Sequence, residues 1–234
     1  MLRSSTLIAA LALGSIAAPA LAAQTSTDLA TVCKSLGDAK VGQWASFDVV
    51  GGRGETGGGS NGGKMRLAVV GSERAADTAL YWFEVRFEGM DPSHSGVVQI
   101  LTTSLAAGVA SPRAVVIKWG PQPAMKVSGQ MAEMMGQTGK DKTAAFDWAG
   151  RCSGAHVVGW ESVVVPAGSF RALHVTTDDG ADVWTSRDVP FGLVKTHGKQ
   201  GDMALTARGA DATSSITEKP IEMPGMMMSP PTKP

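Results

Sequence analysis

The chain has 234 residues, of which 43% are hydrophobic, and its 21 Lys and Arg residues balance 21 Asp and Glu residues. A balanced chain has no basic excess to attract phosphates, so the composition argues against a nucleic-acid-binding protein. The length suits a single domain with a substantial core.

Residues 1–22 predict a cleavable signal peptide. Arg3 precedes an uncharged apolar run over residues 7–18, which is shorter than the roughly 20 residues that span a bilayer. Ala20-Leu21-Ala22 supplies the small side chains that a signal peptidase requires. We expect cleavage after Ala22 and a periplasmic or secreted protein, with a retained membrane anchor as the alternative.

The two cysteines, Cys33 and Cys152, are predicted to form a disulfide bond, because exported chains meet oxidising conditions. Two unrelated buried thiols are the alternative. In the chain-entropy model a bond that closes such a long loop contributes about 4–5 kcal/mol. Cys33 falls on a short predicted helix that Thr27 caps, and its apolar positions recur at helical spacing. These positions are Leu29, Val32, Cys33 and Leu36.

From Gly42 onward apolar and polar residues alternate and turn residues recur, which is typical of antiparallel strands joined by short connections. In the clearest strand, residues 80–88, one face is apolar and the other is predicted to face water. The apolar face carries Tyr81, Phe83, Val85 and Phe87, and the polar face carries Glu84, Arg86 and Glu88. The other predicted strands are 43–50, 64–69, 96–103, 114–119, 157–165, 170–176, 182–186, 192–197 and 203–208.

Between residues 119 and 151 the pattern changes to helical spacing. Val127, Met131, Met134 and Met135 recur in this way between two glycines, which predicts a short amphipathic helix inserted between strands, able to act as a lid. Residues 217–234 are rich in Pro and Met and show no periodicity, so we predict a disordered tail after a domain that spans residues 23–216.

The sequence contains partial matches to catalytic and cofactor-binding motifs, but the residues around them do not fit those motifs. The glycine-rich residues 51–63 lack a phosphate-loop Ser or Thr, because Met65 stands in that place. Ser60 matches a hydrolase pattern by letters but lies in a predicted hairpin loop instead of a strand-to-helix elbow. The 4 histidines lack metal-ligand spacing. We therefore predict no catalytic residues, no cofactor and no enzymatic activity.

Methionines are concentrated in two stretches, around residues 125–135 and 223–228. Thioethers bind Cu(I), and Met131 with Met134, or Met223 with Met226, has usable spacing. Methionine also makes an adaptable apolar lining for a flexible ligand such as an acyl chain. A third interpretation is that these residues only fill a core edge and a tail.

Three segments are distinctive in combination: Val41-Gly42-Gln43-Trp44, VVVPAGSF at 163–170 and WTSRDVPFGLVK at 184–195. Together they resemble exported proteins of the LolA/LolB-like superfamily, the carriers and receptors of bacterial lipoprotein localisation. The resemblance implies an incompletely closed antiparallel barrel that wraps round helices and holds acyl chains in an apolar concavity. The segments have structural motifs only, so no transport residue is carried over from the family.

We thus predict a mainly β (α+β) domain: a single incompletely closed antiparallel β-barrel or curved sheet with an N-terminal helix and a short inserted helix. Its predicted function is non-enzymatic binding of a lipid or acyl chain. The alternatives are a Cu(I)-binding protein and a structural or assembly partner in the envelope that docks through the C-terminal tail. The predicted ligand-lining residues are Tyr81, Phe83, Val85, Phe87, Met131, Met134 and Met135.

Overall fold

The computed structural model describes residues 29, 39–51, 62–88, 95–103, 112–138, 154–199 and 201–223, with only the backbone of residues 135–138. Most of them form one 12-stranded sheet. The strands are β1 (Trp44–Gly51), β2 (Gly63–Ala75), β3 (Thr78–Glu88), β4 (Gly96–Thr102), β5 (Ala114–Trp119), β6 (Met125–Ser128), β7 (His156–Val165), β8 (Gly168–Thr176), β9 (Asp182–Thr185), β10 (Leu193–His197), β11 (Gly201–Gly209) and β12 (Ile221–Glu222). A helix, α1 (Gln130–Thr138), follows β6.

The order of the strands across the sheet is β12-β6-β5-β4-β3-β2-β1-β11-β10-β9-β8-β7. Two antiparallel meanders, β1 to β6 and β7 to β11, join where β1 pairs with β11. Only the pairing of β12 with β6 is parallel among the described strands. The large curved sheet is not closed, because β7 and β12 are its two ends. The predicted mainly β fold, an incompletely closed antiparallel sheet, is confirmed.

The main core packs on one face of the sheet, which we call the inner face. Phe47, Leu67 and Val85 of β1, β2 and β3 pack there with buried residues from β8 to β11. At the β7 end, the sheet curves back toward β11. The amide of Ala167 in the β7–β8 turn donates to the carbonyl of Leu205 in β11 at 3.1 Å. The curvature therefore encloses the core on the inner face.

The opposite face, the outer face, is crossed by residues 210–223, which we call the outer-face strap. The strap begins where Ala212 donates its amide to the carbonyl of Gly42, and it ends as β12 beside β6. A disordered tail from residue 217 was predicted from composition, and this prediction is wrong for residues 217–223. Hydrogen bonds from the amides of Ile221 and Met223 to the carbonyls of Ala124 and Lys126 supply the order that the local pattern lacks.

The inserted helix is confirmed, since α1 includes the predicted Met131, Met134 and Met135. Val127 was expected to belong to it and instead lies in β6, where it pairs with Val115. Strands β6 and β12 were not predicted. Both are short, at 4 and 2 residues, so neither is long enough for alternation to be visible.

Several predicted features lie outside the described residues: the signal peptide at 1–22, both cysteines, residues 224–234 and most of the N-terminal helix. Leu29 is the described residue of that helix, and it is helical and packs half-buried against the main core. In the described part of the chain, no helix combines the length and apolar character that crossing a membrane demands.

Candidate functional site

The inner face continues past the main core onto β4, β5 and β6. In an antiparallel sheet, residues directly opposite each other lie on the same face. Val85, in the core, pairs with Val98, which pairs with Ile117, which pairs with Met125. One row of apolar side chains therefore runs from the core to the edge of the sheet at β6.

A second row, closer to the start of β4, runs from Phe87 through Gly96 to Trp119. A Cβ atom on Gly96 would overlap the Trp119 ring, so the indole lies directly against the backbone of Gly96. We name Phe87, Val98, Ile117, Trp119 and Met125 together the inner-face strip. It places two aromatic and three aliphatic or thioether side chains on one face.

The strip is only partly buried. Trp119 and Met125 are 40% and 38% exposed, and the other three members are half-buried. Large apolar side chains that are exposed together, in contrast to scattered ones, mark surfaces that bind a partner or ligand. The strip is thus the main candidate for an apolar binding site in the described part of the protein.

Helix α1 borders this strip. Its Ala132 and Met131 pack with Val115 and Val127 of β5 and β6, and the cluster extends to Val98 and Ile117 of the strip. Gly129, with a φ of 62°, provides the left-handed turn between β6 and the helix. The helix therefore covers the inner face on one side of the strip, as a lid would.

The predicted lining residues fall into distinct environments. Tyr81, Phe83 and Phe87 are half-buried against the main core, whereas Val85 is 2% exposed and belongs to the core. Met131 packs from α1 against Val115 and Val127, and Met134 is 55% exposed. The side chain of Met135 lies outside the described residues. Their contact with a ligand stays a prediction.

Sequence reasoning missed four members of the strip: Val98, Ile117, Trp119 and Met125. Strands β4 and β5 carry apolar residues on both faces, so alternation does not reveal which face is inner. The signal that finds them is the pairing register with β3, whose apolar face the sequence did identify.

The outer face at β3 differs from its prediction. The alternation predicted that Glu84, Arg86 and Glu88 face water. Arg86 and Glu88 are indeed half-exposed and form an ion pair at 2.6 Å, but Glu84 is only 1% exposed, so the prediction is wrong for Glu84. The outer-face strap lies over this part of the sheet and excludes water from it.

The buried Glu84 carboxylate is satisfied by the strap and by β4. Gln99 Nε2 donates to Glu84 Oε2 at 2.7 Å, and the backbone amide of Ser215 donates to the same oxygen at 2.9 Å. Ser215 Oγ donates to Glu84 Oε1 at 2.6 Å. A buried charge is tolerated when hydrogen bonds replace its hydration. The carboxylate therefore holds the strap to the sheet.

Two further carboxylates hold the strap, Asp211 near its start and Glu218 before β12. The indole N–H of Trp44 donates to Asp211 Oδ1 at 2.6 Å, and this hydrogen bond is the main cause of a lowered pKa of Asp211. Lys118 Nζ donates to Glu218 Oε1, which is the main cause of a lowered pKa of Glu218. Both carboxylates are thereby stabilised in the charged form.

A polar cluster also lies across β7 to β10. His174 stacks on Trp184 with ring centroids 4.5 Å apart, and Lys195 Nζ lies 4.9 Å from the Trp184 centroid. The His174 ring contacts Glu161 and, at 2.9 Å, Asp182, and this bond is the main cause of a lowered pKa of Asp182. The described residues bring together no set of three or more His, Cys, Asp or Glu side chains fit to hold a metal ion. The cluster is best explained as a cross-strand support.

The chain matches no protein-family model and no curated protein. Among solved structures it is similar to MucB in complex with MucA(peri), with a TM-score of 0.45, 9% identity and coverage of 84% of this chain and 59% of that one. The chain thus spans 59% of the MucB chain's length.

Two further structures are similar over 73% of this chain, each with a TM-score of 0.34 and 11% identity. One is a protein from Bacteroides fragilis described as exported and as having a YmcC-like fold, and this chain covers 97% of it. The other is described as a lipoprotein, from Parabacteroides distasonis, and this chain covers 96% of it. These likenesses are remote.

Proposed function

We propose that this protein is a non-enzymatic component of the cell envelope that holds an acyl chain or another lipid tail on the inner-face strip. The observation that carries the proposal is the strip itself: five apolar side chains, from Phe87 to Met125, that share one face and remain partly exposed beside a helix. The predicted signal peptide supports the location in the cell envelope.

The chemistry of the strip suits a hydrocarbon ligand. None of its five side chains can ionise, and the thioether of Met125 with the indole of Trp119 can adapt to a flexible chain. Each buried methylene contributes about 0.8 kcal/mol, so ten methylenes supply roughly 8 kcal/mol before the costs of ordering and association. The cost of association offsets much of this gain, so we expect binding to be reversible.

The test is the binding of a fluorescent palmitate analogue to the mature full chain. We expect saturable binding to the wild type, weakened about tenfold in Ile117→Asp, because a carboxylate would be desolvated beneath the acyl chain. Val164→Asp is the matched control, since Val164 is 77% exposed on β7, away from the strip. We expect its affinity to lie within about twofold of wild type.

Trp119→Ala adds a variant that does not introduce a charge. Trp119 is 40% exposed and packs on Gly96 outside the main core, so we expect its truncation to preserve the core and to weaken probe binding. Wild-type protein that binds no probe, and that carries no extractable lipid when purified from its host, would overturn the proposal. Titration of the full chain with Cu(I) under reducing conditions tests the methionine alternative separately.

A further inference from the structure

The outer-face strap is fixed to each of the three strands that carry most of the inner-face strip. On β4, Gln99 Nε2 donates to Ser214 Oγ at 2.7 Å. On β5, Lys118 pairs with Glu218. On β6, Lys126 Nζ lies 3.0 Å from Glu222 Oε1. The strap thus contacts β4, β5 and β6 in succession through polar side chains.

Each of these anchors is a chain neighbour of a residue in the strip. Gln99 follows Val98, Lys118 lies between Ile117 and Trp119, and Lys126 follows Met125. Successive side chains of a strand point to opposite faces, so a force applied to the anchor on the outer face acts on the same backbone that holds the strip. The strap and the strip are therefore two sides of the same three strands.

Apolar packing links the anchors. Ile216 of the strap is buried with Val97, Val116 and Ala124, and Trp82 packs against the same cluster. Backbone hydrogen bonds from the strap reach Ala124 and Lys126. The contact is therefore continuous from β3 to the edge of the sheet.

Strand β6 depends most on this contact. It has 4 residues, and its neighbours in the sheet are β5 on one side and the 2-residue β12, the end of the strap, on the other. Helix α1 begins directly after it. Short strands at a sheet edge open at low free-energy cost, and the elements attached to them move with them.

We propose that the outer-face strap is a latch that positions β4, β5 and β6 and thereby sets how tightly the inner-face strip holds its ligand. This role rests on the function proposed above. Glu84, Glu218 and Ser215 are positioning residues, since they act on the strip through the backbone of the strands they hold. Release of the strap loosens β6 and α1 and opens the strip.

The experiment compares two strap variants with a matched control in the mature full chain. Glu218→Gln removes the ion pair with Lys118, and Ser215→Ala removes the hydroxyl that donates to Glu84. Glu88→Gln is the control, because it breaks the ion pair with Arg86, which is also on the outer face but does not involve the strap. Amide hydrogen exchange over residues 114–128 and the dissociation rate of the palmitate probe are measured for each protein.

We expect both strap variants to raise amide exchange in β5 and β6 and to speed probe dissociation by about three- to tenfold, as the loss of one partly buried polar contact allows. The control should change neither quantity. Restored slow dissociation in Glu218→Asp would support an ionic anchor. Unchanged exchange in both strap variants overturns the latch, as does raised exchange with unchanged probe dissociation.

The failures of the two proposals can be told apart. If the wild type binds no probe, the proposed function fails, and the latch fails with it as a control of ligand retention. If the wild type binds the probe but both strap variants behave like the control variant, the latch alone is wrong.

Discussion

Replacement of Glu84 by Ala tests whether the outer face is covered as described. The substitution removes an acceptor of three hydrogen bonds and leaves the amide and hydroxyl of Ser215 facing an apolar gap. Each buried donor that loses its acceptor costs about 1–3 kcal/mol, so the two stranded donors of Ser215 together cost about 2–6 kcal/mol. At ~2–4 °C per kcal/mol for a chain of this size, the midpoint of thermal unfolding should fall by roughly 4–24 °C.

Urea unfolding of the mature chain measures the free energy directly, with the slope checked for a change in the denatured state. Glu88→Ala is the control, because Glu88 lies on the same strand and face but is half-exposed, and its loss should cost less than about 1 kcal/mol. If Glu84→Ala costs no more than Glu88→Ala, then water reaches Glu84 and the buried network is wrong.

Three further predictions concern the strip and the strap. Gly96→Val should displace the Trp119 ring, shift the intrinsic fluorescence maximum and weaken the palmitate probe several-fold; an unchanged spectrum would contradict the packing. Gly42→Ala should cost about 1–3 kcal/mol in urea unfolding, because φ is 91° there and a Cβ would lie 2.6 Å from a carbonyl oxygen. The lowered pKa of Glu218, due to its hydrogen bond with Lys118, adds stability that is present above its ordinary value of 4.5 and is lost as pH falls through the lowered folded value. Thermal stability should therefore decline below about pH 4.5, and less steeply in Glu218→Gln; equal slopes would contradict this assignment.

Most strands were predictable, either from alternation or from a short apolar run that turn residues bound. The predicted 114–119 coincides with β5, and the apolar face assigned to residues 80–88 is the inner face. The two-residue period is a local property of the sequence, so it can be recognised without knowledge of the fold. Alternation could not reveal β6 or β12, because both are too short to show it. Their few residues are strands only because they pair with neighbouring strands.

The strap and the strip depend on contacts between distant parts of the chain. Glu84 and Ser215 are 131 residues apart, and no spacing rule links a carboxylate in a strand to a serine that follows the last predicted strand. Glu84 therefore looked like an ordinary solvent-facing residue. Trp119 was likewise invisible as a site residue, because its place depends on a glycine across the β4–β5 pair. The pairing register of β4 and β5 gives the position of Trp119, whereas the contact of Glu84 follows only from the path of the strap.

The pairing of β1 with β11 has a consequence for biogenesis. The first strand of the sheet meets β11 only after about 150 further residues have emerged, because Gly51 pairs with Gly201. One flank of β1 thus stays unpaired during synthesis, whereas β2 to β6 can pair as soon as they emerge. Closing so large a loop is slow and entropically expensive. A nascent chain of this protein should therefore be a client for holdase chaperones until its last quarter arrives.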